Sequence, residues 1–277
     1  MRRTIARAAA ALHAVAPRVA AIGSALVVVG VAVAVPVRAV EPDLGAAAPV
    51  RHAGGAGAAW RAAWQQVAGD RAFREAGCFS SLRELAALDG DRIRHRPLAR
   101  DDFRARRRSR DAKFTVTMEN AVTEAHVATS LVCIGRLRAE ELAPGRFAVW
   151  FEDLEYVALL DREGSWWNPR SGTHPEWVLR HEQLHFDITE LVARRHNRDR
   201  ARDAARTRAV AASPGEAMRR FAERWSAHFA TLRADWEALQ ERYDRETRHG
   251  TAPAVQTQWF ARVHRELAAL PAPPTAR

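Results

Sequence analysis

Three rhythms of apolar and polar residues divide the chain. Residues 19–37, "VAAIGSALVVVGVAVAVPV", carry no charge at all. Between 92 and 161 the period is two. "KFTVTM" puts Phe114, Val116 and Met118 on alternate positions, with Thr115 and Thr117 between them. "EAHVATSLVCIGRL" and "GRFAVWFEDLEYVALLD" are further β-branched and aromatic runs, and "RIRHRPL" is a shorter one. Such runs suit a pleated, half-buried surface. A small, mostly antiparallel sheet is expected over 92–161.

From 175 onward the period is helical. Pro175 suits a first turn, and "EWVLRHEQLHFDITELVARRH" runs to His196 without Gly or Pro. Trp177, Leu184, Ile188 and Leu191 form its apolar stripe. "SPGE" opens a second helix, with Ser213 as N-cap, Pro214 at the first position and Glu216 completing a capping box. Phe221, Trp225, Phe229, Leu232, Trp236, Leu239 and Tyr243 then recur every three or four residues, which predicts a long amphipathic helix over 214–245. "VQTQWFARVHRELAAL" is a third, on Trp259, Val263, Leu267 and Leu270. Ahead of the sheet, "WRAAWQQVAGDRAFREAG" at 60–77 predicts a short helix, which "SSLRELAALDG" continues after a break at Gly77. The expected fold class is α+β, a small sheet followed by a helical half.

The first 39 residues stand apart. Arg2, Arg3, Arg7 and Arg18 precede the apolar run, and "VRA" at 37–39 places small residues where a signal peptidase needs them. Export and cleavage after Ala39 are expected, to the periplasm or beyond the cell. The rival is an uncleaved anchor, since the 19 uncharged residues approach the roughly 20 that span a bilayer. A membrane partner is expected only in that case. The remaining organisation reads as a flexible linker at 40–59, an N-terminal helical segment at 60–90, a main domain at 91–270 and a disordered tail at 271–277.

Composition changes this picture little. Hydrophobic residues make up 47% of the chain, enough for a real core. Of 43 basic residues only Lys113 is lysine. Removing residues 1–39 takes away five arginines and no acid, so the formal charge falls from +10 to +5. The runs "RARRRSR" at 104–110 and "RRHNRDRARDAARTR" at 194–208 lack the interleaved aromatics of a single-strand platform. They are expected as solvated faces and loops, and no nucleic-acid partner is expected. The two cysteines, Cys78 and Cys133, make either one disulfide or two buried thiols.

The candidate chemistry lies at "HEQLH", residues 181–185. On a helix His181 and His185 are about 40° apart and one turn up, so both imidazoles can reach one metal ion. Glu182, about 100° round from His181, can take a proton from water without being a ligand. A catalytic zinc ion wants three protein ligands and an open position. Glu190 and Asp187 point the wrong way for the third. The best source is "YDRETRHG" at 243–250, where His249 is the expected nitrogen ligand and Asp244 and Glu246 are oxygen alternatives. Any acid not so used could hold a histidine tautomer. The hydroxyl of Tyr243 is a candidate catalytic donor to a tetrahedral oxyanion, or Tyr243 is packing on the apolar stripe. His95, His126, His174, His196, His228 and His264 are expected as surface or core histidines.

"HEQLHFDITELVARR", with "YDRETRHG", the following "QTQW" and "LARDDFRA" at 98–105, resembles a bacterial family of exported proteins described as secreted zinc-dependent proteases. The likeness spans roughly residues 90–270 and is specific at the two C-terminal motifs. It implies a zincin-like metallopeptidase with Zn2+ on His181, His185 and His249, Glu182 as base, and a peptide or protein substrate. The rivals are a zinc-dependent amide hydrolase of the cell envelope and a non-catalytic, zinc-stabilised envelope interaction domain.

Overall fold

A 19-residue strand and a 22-residue strand form one long hairpin at the centre of the molecule, β3 (Ala125–Ala143) and β4 (Arg146–Trp167). They come from a computed structural model that describes residues 56–68, 70, 73, 78–79, 92–106, 125–168 and 174–271. Pro144 and Gly145 make the turn between them, with Gly145 at φ +69°, the order and dihedral a type II turn asks for. Strands of this length are unusual, and three register shifts interrupt the ladder, at His126/Ala128, Ile134/Arg136 and Glu141/Ala143. At the middle shift Asp153 takes φ +54°.

Three short strands complete the sheet. β2 (Arg92–Arg94) and β5 (Ala209–Ala211) pair antiparallel with β4 at Leu159–Asp161 and Phe147–Val149. β1 (Cys78–Phe79) pairs parallel with β3, so the order is β1-β3-β4-β2, with β5 also on β4. Cys78 stands in register with Cys133, and Cys133 is disulfide-bonded. The chain has two cysteines. The α+β expectation thus holds, a mostly antiparallel sheet followed by helices.

The helices are α1 (Ala56–Ala68), α2 (Pro175–Thr207), α3 (Pro214–Thr247) and α4 (Pro253–Ala269). α2 carries two apolar faces rather than one stripe. Phe186, Val192 and Ala193 join a core with Leu131, Tyr156 and Leu160 of the hairpin and Met218, Phe221 and Trp225 of α3. Leu184, Ile188 and Leu191 pack instead with Tyr243 of α3 and Trp259, Val263 and Leu267 of α4. The helix is clamped between sheet and helices, which fixes the direction of every side chain on it. Trp225 stands edge-on to Phe151 at 4.7 Å, and truncating it to Ala would cost about 3–5 kcal/mol.

Element ends differ from the sequence reading in two places. α2 continues eleven residues past His196, through the run expected as solvated faces and loops. Arginine is a good helix former, and the run is laced with ion pairs: Arg194 to Glu190 at 2.7 Å, Arg202 to Asp199 at 3.1 Å, and Arg195 to Glu266 of α4. α1 begins at Ala56, inside the expected linker, and stops at Ala68, where the sequence turns to Gly69-Asp70. The cap at Ser213 is as expected, its Oγ accepting from the Glu216 N–H at 3.3 Å. The segment 1–39, "KFTVTM", "SSLRELAALDG" and the tail from 272 lie outside the described residues. Among the described residues no helix is long and apolar enough to cross a membrane.

Candidate metal centre

His181 and His185 sit in the second and third turns of α2, and Asp244 on the last turn of α3 reaches across to them. The two Nε2 atoms are 3.3 Å apart. Asp244 Oδ1 lies 3.3 Å from Nε2 of His181 and 3.0 Å from that of His185. These three groups could hold a metal ion. Asp244 Oδ1 is buried, and no hydrogen bond of acceptable geometry reaches it. A buried carboxylate oxygen left this way is costly without a cation beside it.

The far side of each imidazole is tied down. Tyr243 Oη lies 2.8 Å from His181 Nδ1 and donates to the His181 carbonyl at 3.3 Å. Gln256 Oε1 is 3.3 Å from the same nitrogen. His185 Nδ1 is 2.7 Å from Gln240 Oε1, whose amide nitrogen donates to the His185 carbonyl and to Thr189 Oγ1. Trp236 Nε1 also donates to Thr189 Oγ1, at 3.1 Å. A proton on Nδ1, facing its acceptor, would leave each Nε2 free to bind a metal ion in place of a proton.

Electrostatics agree with a centre built for a cation. Burial works against a charged His185, but the Asp244 carboxylate, with Glu182 behind it, outweighs that and raises the group to about 9. Burial would raise Asp244, yet the two imidazoles hold its carboxyl well below the usual range. Burial, with the charges of Glu182, Asp244 and Asp187, pushes the Tyr243 phenol far up, so it stays protonated.

Glu182 is buried beside the cluster, and its Oε2 accepts from the Val127 N–H of β3 at 3.1 Å. That donor is available because Val127 falls in the register shift between His126 and Ala128, where it has no partner on β4. The bulge is itself fastened: Ser165 Oγ accepts from the Ala128 N–H and donates to the Asp161 carbonyl.

Two expected site residues lie elsewhere than the sequence reading placed them. His249 is not in the group of His181, His185 and Asp244, the last of which was an oxygen alternative to it. Arg248 and His249 follow the end of α3 with φ of +51° and +52°, and this reversal leaves His249 at the rim, its side chain 43% exposed and Nδ1 3.7 Å from Asp244 Oδ1. Tyr243 does not face the centre as an oxyanion donor would, because its hydroxyl is fully engaged on the back of His181. Glu246 turns away, accepting from Trp259 Nε1 and Arg242.

Gly250, the last residue of the motif, has φ +82°, and a Cβ there would come 3.1 Å from His181 Nδ1. Its carbonyl accepts from Trp177 Nε1 at 2.7 Å, closing the α3–α4 turn onto the start of α2. On the opposite flank Asp187 is held by His95 at 2.7 Å and His264 at 2.8 Å, and by Gln183. Gln183 Oε1 also accepts from the Leu98 N–H, which docks segment 95–99 on α2.

No family model matches the chain, and neither the curated proteins nor the solved structures contain a match.

Proposed function

We propose that this chain is an exported zinc-dependent metallopeptidase, its metal held by His181, His185 and Asp244. The observation that carries the reading is the triangle of donor atoms, with edges of 3.0, 3.3 and 3.3 Å. Ligands 2.0–2.1 Å from a tetrahedral zinc ion stand about 3.3 Å from one another. Two imidazoles and one carboxylate leave the fourth position open, as a catalytic site requires.

Bound there, zinc would polarise a scissile carbonyl and bring the pKa of a water molecule down to about 7. Glu182, oriented by the Val127 N–H, collects the proton and returns it to the departing amine. His249, at the exposed rim, replaces Tyr243 as the side chain able to donate to an oxyanion. Tyr243, Gln256 and Gln240 hold the ligands in place.

The test is zinc content and cleavage of a mixed peptide library, wild type beside Glu182→Gln. Wild type should bind zinc and cut peptides; Glu182→Gln should keep the zinc and be inert. A Glu182→Gln chain that cuts as fast as wild type, or a zinc-loaded wild type that cuts nothing, overturns the reading. The second reading, a closed non-catalytic zinc site, is favoured by the 3.7 Å approach of His249 to Asp244. It predicts that His249→Ala loses zinc.

A further inference from the structure

Three turns along α2 from His185, a second knot of titratable side chains forms. His196 Nδ1 is 3.2 Å from Asp203 Oδ2, and His228 Nε2, from α3, is 3.7 Å from the same oxygen. One ligand atom from each of the three lies within 4.8 Å of the others. Tyr156, from β4, donates to Asp203 Oδ2 at 3.2 Å and sits 2.8 Å from His228 Nε2. Asp203 and Tyr156 are almost wholly buried. The aromatic wall is continuous: His196 and His228 flank Tyr156 at ring separations of 5.3 and 6.3 Å, and Trp225 lies 5.5 Å from His228.

We propose that His196, Asp203 and His228 form a second zinc site that ties α2 to α3, with Tyr156 positioning Asp203. Two imidazole nitrogens and one carboxylate oxygen are the donors zinc takes, whereas calcium and magnesium ask for oxygen alone. The separations of 3.2 and 3.7 Å are close to the roughly 3.3 Å between ligands of one zinc ion. Small rotations of two half-buried imidazoles complete the triangle. The Tyr156 hydroxyl then keeps its bond to Asp203, the usual support for a ligating carboxylate.

This site is separate from the first. His185 and His196 are eleven residues apart on one helix, about 16 Å at 1.5 Å per residue. Two-metal catalytic centres keep their ions about 3.5–4 Å apart. The second ion therefore shares no substrate with the first. It closes the α2–α3 pair at the opposite end from Asp244, with Tyr156 carrying the link into the sheet.

The experiment takes the purified full chain, strips it with a chelator and titrates it with zinc, counting ions by native mass spectrometry. Wild type should bind two. His185→Ala should bind one, His228→Gln one, and the double variant none. In the His185→Ala chain, saturating zinc should still raise the melting temperature by a few degrees, since an ion that binds only the folded state stabilises it. Two ions in His228→Gln, or a single wild-type ion that only His185→Ala removes, overturns the proposal and leaves Tyr156, Asp203 and the two histidines as a hydrogen-bond network. A single ion that only His228→Gln removes upholds this site and overturns the first. Should His228→Gln not fold, the His185→Ala chain decides: one retained zinc upholds the site, and none overturns it.

Discussion

Tyr243 and His181 lie stacked, ring centroids 4.8 Å apart and planes 24° from parallel, with the Tyr243 oxygen 2.8 Å from His181 Nδ1. The phenol fixes both the tilt and the tautomer of the imidazole. Tyr243→Phe keeps the stack and removes the hydroxyl. It should weaken zinc binding about 10–100-fold, the usual effect of losing such a support. Competition with a chelator measures this; unchanged affinity would mean that Gln256 alone sets the tautomer.

His249→Ala separates the two places His249 could serve. From its position at the rim, the variant should keep its zinc and lose about 100-fold or more in kcat on whichever peptide wild type cleaves. Zinc analysis beside single-turnover kinetics reads both quantities. Loss of the metal with His249 would restore the histidine as a ligand.

Gly250→Ala adds a methyl where φ is +82° and the His181 ring is 3.1 Å away. The left-handed backbone should cost about 1–2 kcal/mol, and the imidazole must shift as well. Reduced urea stability together with weaker zinc binding is expected. A variant that loses stability but binds zinc like wild type would show that the turn yields and the ring does not.

Asp102 gives a pH signature remote from the metal centre. Burial opposes its charge, but hydrogen bonds from Arg96 and the Ala99 N–H, with the charges of Arg96 and Arg162, hold the carboxyl below its ordinary value. A carboxyl depressed in the folded state stabilises above its unfolded pKa of about 3.9, and that stability is lost as pH falls through the folded value. Asp102→Asn should therefore cost about 1–3 kcal/mol at pH 7, and the deficit should shrink below about pH 4. Urea melts at pH 7 and pH 3 compare them; an equal deficit at both would place the loss in shape rather than charge.

Helical spacing made His181, Glu182 and His185 legible, because i and i+4 share a face whatever the rest of the chain does. The position of the long hairpin followed from β-branched runs, and α3 from its cap and stripe. The fold gathers Asp244 rather than His249 with the two histidines for a local reason. Asp244 is still helical and points at α2, whereas His249 is the second of two left-handed residues that no spacing rule anticipates. Tyr243 was placed on the stripe correctly, but which atom its hydroxyl meets depends on α2 lying alongside. His196, Asp203 and His228 were invisible as a group. Seven residues separate the first two and another helix supplies the third, so only the packing of α2 on α3 brings them together.

The bond at Cys133 gives the chain a dependence on its surroundings. Cross-linking residues 78 and 133 closes a loop of more than fifty residues, and such a closure favours the folded state by about 4 kcal/mol through the unfolded chain's lost freedom. Where glutathione keeps thiols reduced, that contribution is missing and, among the described residues, two residues of ladder tie β1 to β3. The final stability of the fold thereby depends on redox surroundings: the chain reaches it only where the two cysteines stay oxidised.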